Sequence, residues 1–382
     1  MATHPHRTTR LRRRLGVLLA LIVALTLIGD IIPRIILGTM QTMTVPAAAT
    51  LNYRPTTAQV LDTAAYHARQ LPDAPACTNR TLLACYVRNQ PATLTTNVSA
   101  APATEEQTGS ASKARKQADV HGHTTLNLGP DITVDLEDNL RLLRNSTFPV
   151  PEATATLDIT GPGGHAHATS QHQDGLRYRF PYTTEQKSYP YFDPVTGRSF
   201  PIDYLAANRN AALSTFLFHQ VLDPVAVEHT AGAGSAWHIT GMVAPAREVY
   251  SDKEISDYGY SPAGSVHLTA YYTASRTLTV EPASGEIVDA HEEIYWFYAS
   301  DDQQANAMTR AWAEGADPIA ARTIVHASFD FDEPTLAAQE ALARPVIRTQ
   351  DTLAVVAWVA KALRLAVIIA AVVTVVRWQR RR

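Results

Sequence analysis

Fourteen histidines and 36 acidic residues give this chain of 382 residues the raw material for metal or acid–base chemistry. His121 and His123 flank Gly122, and His165, His167 and His172 fall close together. Closely spaced imidazoles are ligands for zinc or copper. These sit in Gly-, Ser-, Thr- and Gln-rich stretches with only Asp174 as a nearby carboxylate, so they read as solvated loop histidines. Glu292 and Glu293 are adjacent; successive strand side chains point to opposite faces, which rules them out as an acid–base dyad. Asp301–Asp302 and the Asp330, Asp332, Glu333 group read as solvated turns. Asp330 and Asp332 share a strand face, which keeps a calcium or catalytic alternative open. The chain has no Gly-x-Ser-x-Gly elbow, phosphate-binding loop or dinucleotide fingerprint. The expectation is a protein that is not an enzyme, with no cofactor and no metal. An envelope enzyme with a site scattered over the fold is the alternative.

The elements that must position any site begin with two apolar runs at the ends. Leu15 to Leu37 follows Arg10, Arg12, Arg13 and Arg14; Leu353 to Val376 precedes Arg377, Arg380, Arg381 and Arg382. At about 1.5 Å per residue, each run is long enough to cross a hydrocarbon core of roughly 30 Å. Positive flanks stay in the cytoplasm. The spacing therefore predicts a plasma-membrane protein with cytoplasmic basic tails at 1–14 and 377–382. Transmembrane helices follow at 15–37 and 353–376, with an extracytoplasmic domain at 40–350. A cleaved signal peptide is the alternative for the first run, since Leu15 to Ile28 fits its apolar region. Against cleavage, apolar residues continue through Ile31, Ile32, Ile35, Ile36 and Leu37, and the small residues Ala47 to Ala49 lie too far downstream.

Both runs carry charge. Lys361 and Arg364 interrupt the second, and a charge near the bilayer centre costs roughly 2.5–3.5 kcal/mol. Asp30 and Lys361 lie at equal distance from their cytoplasmic edges, roughly 22 Å deep. The sequence predicts an antiparallel helix pair in which Asp30 faces Lys361 or Arg364. The alternative is that each charge snorkels to the outer interface alone.

Net charge is −3 and the basic residues gather at the tips, so no basic patch suits a nucleic acid. Cys77 and Cys85, the two cysteines, fall in the expected outside region. An even pair in an oxidising compartment predicts a disulfide closing a short loop; two separate buried thiols are the alternative. Residues 97–119 are rich in Ala, Ser, Thr, Gln, Lys and Glu, with no large apolar residue after Val98. They read as a flexible insertion.

From Thr124 onward the pattern is strand-like. Thr133 to Leu136, Thr154 to Thr160 and Leu176 to Phe180 alternate with period two, and Gly/Pro turns separate them. Two turns are alike: Asp193–Pro194–Val195–Thr196–Gly197 and Glu281–Pro282–Ala283–Ser284–Gly285. Pro presets φ and Gly takes the positive-φ position, so both read as hairpin connections. Their likeness predicts a duplicated β unit; two unrelated turns are the alternative. Asp301 to Ala321 and Pro334 to Ala343 read as helices, with Pro345 separating the latter from the second apolar run. The fold class is α+β: a mainly antiparallel, curved β ectodomain with a few helices, flanked by one transmembrane helix at each end.

One stretch resembles a known family. Phe180–Pro181–Tyr182, Tyr189 to Pro194 and Pro201 to Tyr204 look like the core signature of the PorA-like family of actinobacterial membrane proteins, long catalogued as a domain of unknown function. Tyr271 to Thr277, running into Val280–Glu281–Pro282 and Gly285 to Val288, resembles its second signature. The apolar ends and Ile32–Pro33–Arg34 fit too. The Cys77–Cys85 loop and the 97–119 stretch depart from the pattern. The resemblance implies a cell-envelope role and, by its name, porin association. Some members are linked to mannosylated lipoglycan assembly and phospholipid-glycan binding. No catalytic residue is established for the family, so none is carried over. The implied partners are the membrane, an envelope lipid or lipoglycan, and envelope-assembly enzymes. The leading expectation is a tethered protein that binds or presents an envelope lipid or lipoglycan intermediate; the alternative is a porin- or channel-associated component.

Overall fold

The computed structural model describes residues 5–40, 42–70, 82–170, 174–208 and 213–380, apart from the side chains of 5–12, 169 and 170. The chain divides into two units. One comprises Met1–Met43 with Ala343–Arg382, and the other Thr44–Leu342.

In the first unit, helix Pro5–Thr26 opens into a wide π turn, Leu27–Ile31, and resumes as Ile32–Met40. Pro33 explains the interruption. Its nitrogen has no hydrogen to donate and its ring crowds the preceding turn, so the helix widens just ahead of it. The C-terminal helix runs without a break from Glu333 to Gln379. Pro345, expected to end a shorter helix, lies inside it; one lost hydrogen bond does not stop a run rich in Ala, Leu and Arg. Both helices are long and apolar enough to cross a membrane.

The second unit is built on a fifteen-stranded sheet. Its strands are β1 (Ala47–Asn52), β2 (Thr56–Leu61), β3 (Val87–Pro102), β4 (Gln117–Leu128), β5 (Ile132–Leu143), β6 (Ala155–Gly161) and β7 (Gly164–Ser170). They continue with β8 (Tyr189–Asp193), β9 (Arg198–Asn208), β10 (Thr215–Val221), β11 (Val225–Ala226), β12 (Met242–Pro245), β13 (Ser265–Val280), β14 (Ile287–Ala299) and β15 (Thr323–Asp330). The main order is β7-β6-β5-β4-β3-β2-β15-β14-β13-β10-β9-β8, with β1 beside β3 and β11 and β12 beside β13. The named strand pairs are all antiparallel.

Alternation places one apolar row inside each strand. In β5, Val134, Leu136, Leu140 and Leu142 are buried while Thr133, Glu137 and Asn139 are exposed. The sheet curls so that side chains from β3–β6 and from β8, β13, β14 and β15 line one interior cavity.

Several expectations need correction. Residues 97–119 are not a flexible insertion: β3 runs to Pro102, pairs with β1 and β4, and connects to β4 through helical turns at Glu105–Thr108 and Ala111–Ala114. Backbone ladders on both sides supply the order that the small side chains do not advertise. Leu176 to Phe180 is irregular apart from one bridge to Tyr191. Arg177 and Tyr178 both reach Asp138, which successive residues of a strand cannot do. The expected helix Asp301 to Ala321 stops at Ala313, just ahead of Gly315 at φ +96°. The two similar turns hold equivalent places, each joining the first two strands of a three-strand run, β8–β9–β10 and β13–β14–β15, which lie side by side in one meander.

Candidate functional site

The cavity has a volume of about 150 Å³ and a mainly apolar wall, including Leu126, Leu136, Ile159, Tyr191, Trp237 and Phe329. Charge enters this wall at two places. The first is Arg276, which falls on the buried alternate row of β13 with Tyr272, Ala274 and Leu278. Register fixes its neighbours: Gln220 of β10 lies opposite on one side and Glu292 of β14 on the other. Arg276 accordingly donates from Nη1 to Gln220 Oε1 at 3.1 Å and from Nε to Glu292 Oε2 at 3.2 Å. Its Nη2 meets Asp193 Oδ2, from the β8–β9 turn, at 2.5 Å. Tyr272 donates to the same Asp193 oxygen at 3.2 Å, and Tyr53 donates to Glu292 Oε1 at 2.6 Å.

Burial and the adjacent carboxylates push both phenols well above their usual range, so they stay neutral donors. Burial opposes the charge of Arg276, but Asp193 and Glu292 hold it firmly protonated. A buried charge survives only when paired and hydrogen-bonded on all sides.

The second place is Arg177, backed by Asp138, which interrupts the apolar row of β5. Arg177 Nε lies 3.0 Å from Asp138 Oδ2, and Tyr178 donates to Oδ1 at 2.5 Å. Gly122 of β4 sits directly across from Asp138, and a Cβ there would overlap the Tyr178 hydroxyl. Arg177 is 9% exposed, and its guanidinium lies over the rings of Tyr178 and Phe192.

The turn residues frame this cluster. Asp193 Oδ1 accepts from Thr196 N at 2.8 Å, and Gly197 N closes the turn on Asp193 O at 2.9 Å. In the second turn, Glu281 accepts from Ala283 N, Ser284 N and Ser284 Oγ, and Gly285 N bonds Glu281 O at 2.8 Å. Pro194 and Pro282 take the second position of each. The loop 174–188 is stitched to both hairpins. Leu176 bonds Pro190 and Phe192, and Phe180 N and Thr184 N bond Gly285 O and Pro282 O.

The histidines are placed differently from the loop expectation. His121 and His123 stand on β4, bonded to Asn139 and Asp135; His165 and His167 stand on β7 around Asp158. His172 lies outside the described residues. Glu292 and Glu293 do face apart, Glu292 to Arg276 and Glu293 to His291. Asp330 bonds His291, whereas Asp332 caps the C-terminal helix through Thr335 N.

Within the helical unit, Asp30 Oδ2 lies 2.5 Å from Arg364 Nη1, and Oδ1 lies 3.6 Å from Lys361 Nζ. Arg364 also donates to Thr26 Oγ1 at 3.3 Å. Cys85 is buried in a short 3-10 turn, Leu83–Tyr86. Cys77 lies outside the described residues, and so does the expected pairing of the two.

Sequence reading missed the charged cluster. The available signal was a lone charge at an alternate position of an apolar row: Arg276 in β13 and Asp138 in β5.

Comparison with known proteins adds the lineage. The family model described as Porin PorA matches residues 16–373. A protein named Porin PorA from Corynebacterium resistens is 29% identical over 203 residues, 45% of this chain and 49% of its own. Another Porin PorA, from Corynebacterium amycolatum, is 26% identical over 203 residues, 51% of this chain and 53% of its own. The chain thus spans about half the length of these curated relatives. Because the family model extends over most of its length, this chain belongs to the Porin PorA family.

Proposed function

We propose that this chain is a membrane-anchored cell-envelope component that associates with or contributes to a channel, and that it is not an enzyme. The observation that carries the reading is membership of a family whose relatives bear the name porin. Two apolar helices, each with arginines at its end of the chain, support a two-pass arrangement with both termini in the cytoplasm. Lipid-facing strands need an outward apolar band. The outward residues of β4–β7 include His121, His123, Glu137, Asn139, Thr160 and His165, which favours helices as the spanning elements. Two helices per chain line a pore only in an assembly of several copies or with a partner. A disulfide between Cys77 and Cys85 belongs to the same reading, and intact mass before and after reduction reports it.

Full-length protein reconstituted in planar bilayers should give discrete conductance steps, alone or with envelope proteins that co-purify with it. Silent bilayers in both preparations would sink the reading.

A second reading, lipid or lipoglycan binding outside the membrane, draws on one observation: an apolar cavity of about 150 Å³ inside the sheet. Extraction of purified protein followed by lipid mass spectrometry tests it, and repeated recovery of no lipid counts against it.

A further inference from the structure

Arg177 is the feature of the cavity that structural needs leave unfinished. Its Nε lies 3.0 Å from Asp138 Oδ2 as an ion pair, but neither that oxygen nor the buried Nη1 of Arg177 has a hydrogen-bond partner among the described residues. A buried donor left unmade forfeits its hydration with nothing in return, and Arg177 lines an apolar space large enough for a ligand. An apolar cavity of about 150 Å³ holds a molecule the size of benzene, or roughly six carbons.

The charges around the space then decide what the ligand's polar end must be. The wall carries Arg177, Arg276 and Glu292, with Asp138 and Asp193 immediately behind the two arginines. Two guanidinium charges therefore face three carboxylates. A carboxylate or phosphate entering here would add to an existing excess of negative charge in a low-dielectric setting. An uncharged carbonyl oxygen satisfies Arg177 Nη1 without that repulsion.

We infer that the cavity binds an aliphatic segment of about six carbons ending in an uncharged acyl-ester carbonyl, with Arg177 Nη1 as its donor. This rests on the lipid-binding reading and narrows it to neutral acyl esters rather than free fatty acids. The wall is only half-buried at Leu51, Leu94, Thr124 and Ile294, which gives a ligand its way in.

The test titrates full-length protein held in amphipol, rather than an alkyl detergent that would compete, with methyl hexanoate and with hexanoate at pH 8. Ligand-observed NMR reports binding. Methyl hexanoate should bind at least ten times more tightly than hexanoate. Arg177→Met should bring the two closer together, and Leu94→Trp, which fills the cavity and leaves every charge in place, should abolish binding of the ester. If Arg177→Met fails to fold, the wild-type ratio and Leu94→Trp decide the matter. Hexanoate binding as tightly as its ester would overturn the neutral-ester inference while leaving the apolar site standing. Binding of neither probe would overturn both. Ester binding that survives Leu94→Trp would place the ligand elsewhere and overturn the assignment to this cavity.

Discussion

Arg276 and Asp193 meet at 2.5 Å although 83 residues separate them, which ties the middle of β13 to the β8–β9 turn. Asp193 serves both sides of this junction: Oδ2 holds Arg276, and Oδ1 holds the backbone of Thr196. Removing one partner of a buried ion pair typically costs about 3–5 kcal/mol, because the other charge is left stranded. Asp193→Ala should therefore lower the thermal midpoint strongly, as followed by tryptophan fluorescence of the full-length protein. Asp193→Asn keeps an acceptor for Thr196 N and should lose less. Equal losses would mean that the charge, and not the turn contact, carries the effect.

The two turn glycines should differ in tolerance. Gly197 and Gly285 have φ of +67° and +76°, where an added Cβ costs roughly 1–2 kcal/mol. At Gly197 the new methyl would meet only the Ala231 Cβ, at 3.0 Å. At Gly285 it would overlap the backbone carbonyl of Phe180, which cannot swing away as a side chain can. Gly285→Ala should therefore destabilise more than Gly197→Ala and should loosen the 174–188 loop. Limited proteolysis with mass mapping checks both expectations; a ranking in the opposite order would refute the packing argument.

Much of this arrangement was legible in the sequence, and the illegible parts share a cause. Period-two alternation marked β5 and β6, because each has one face in the core, whereas the same pattern at Leu176 to Phe180 belongs to an irregular loop. Proline followed by glycine marked both hairpin turns, since the backbone there needs a preset φ and then a positive one. The 97–119 segment misled because its order comes from ladders to β1 and β4, and backbone bonds leave no trace in composition. The Arg177–Asp138 pair joins a loop to a strand across the sheet interior, a contact that no local spacing encodes.

His291 gives the β domain a pH dependence of known sign. Hydrogen bonding to Glu293, and then to Asp330, raises its pKa to about 9, against an ordinary value near 6.5. A raised folded-state value means the stabilisation is complete below about 6.5 and is lost as pH climbs through about 9. Glu293 is shifted the other way by the same bond, so its contribution is present above the ordinary glutamate range and lost on acidification. The thermal midpoint should be highest near neutrality and should fall between pH 6.5 and 9.5. His291→Gln should flatten that alkaline slope. An unchanged slope would assign the alkaline loss to another group.

Asp30 has two basic neighbours, and the distances rank them. Arg364 lies at 2.5 Å and shares Thr26 as a second acceptor, whereas Lys361 stands at 3.6 Å with its side chain 55% exposed. If these helices span the membrane, an unpaired charge there costs roughly 2.5–3.5 kcal/mol. Arg364→Ala strands Asp30 more completely than Lys361→Ala does, so it should cut the yield of membrane-inserted protein more. Lysine also has a long apolar stem with which to carry its charge to the interface unaided. The reciprocal exchange Asp30→Arg with Arg364→Asp should restore what either single charge reversal loses, as quantified by membrane fractionation and immunoblotting. Failure of the exchange to rescue would mean that the two charges are accommodated separately and that the helices do not depend on this pair.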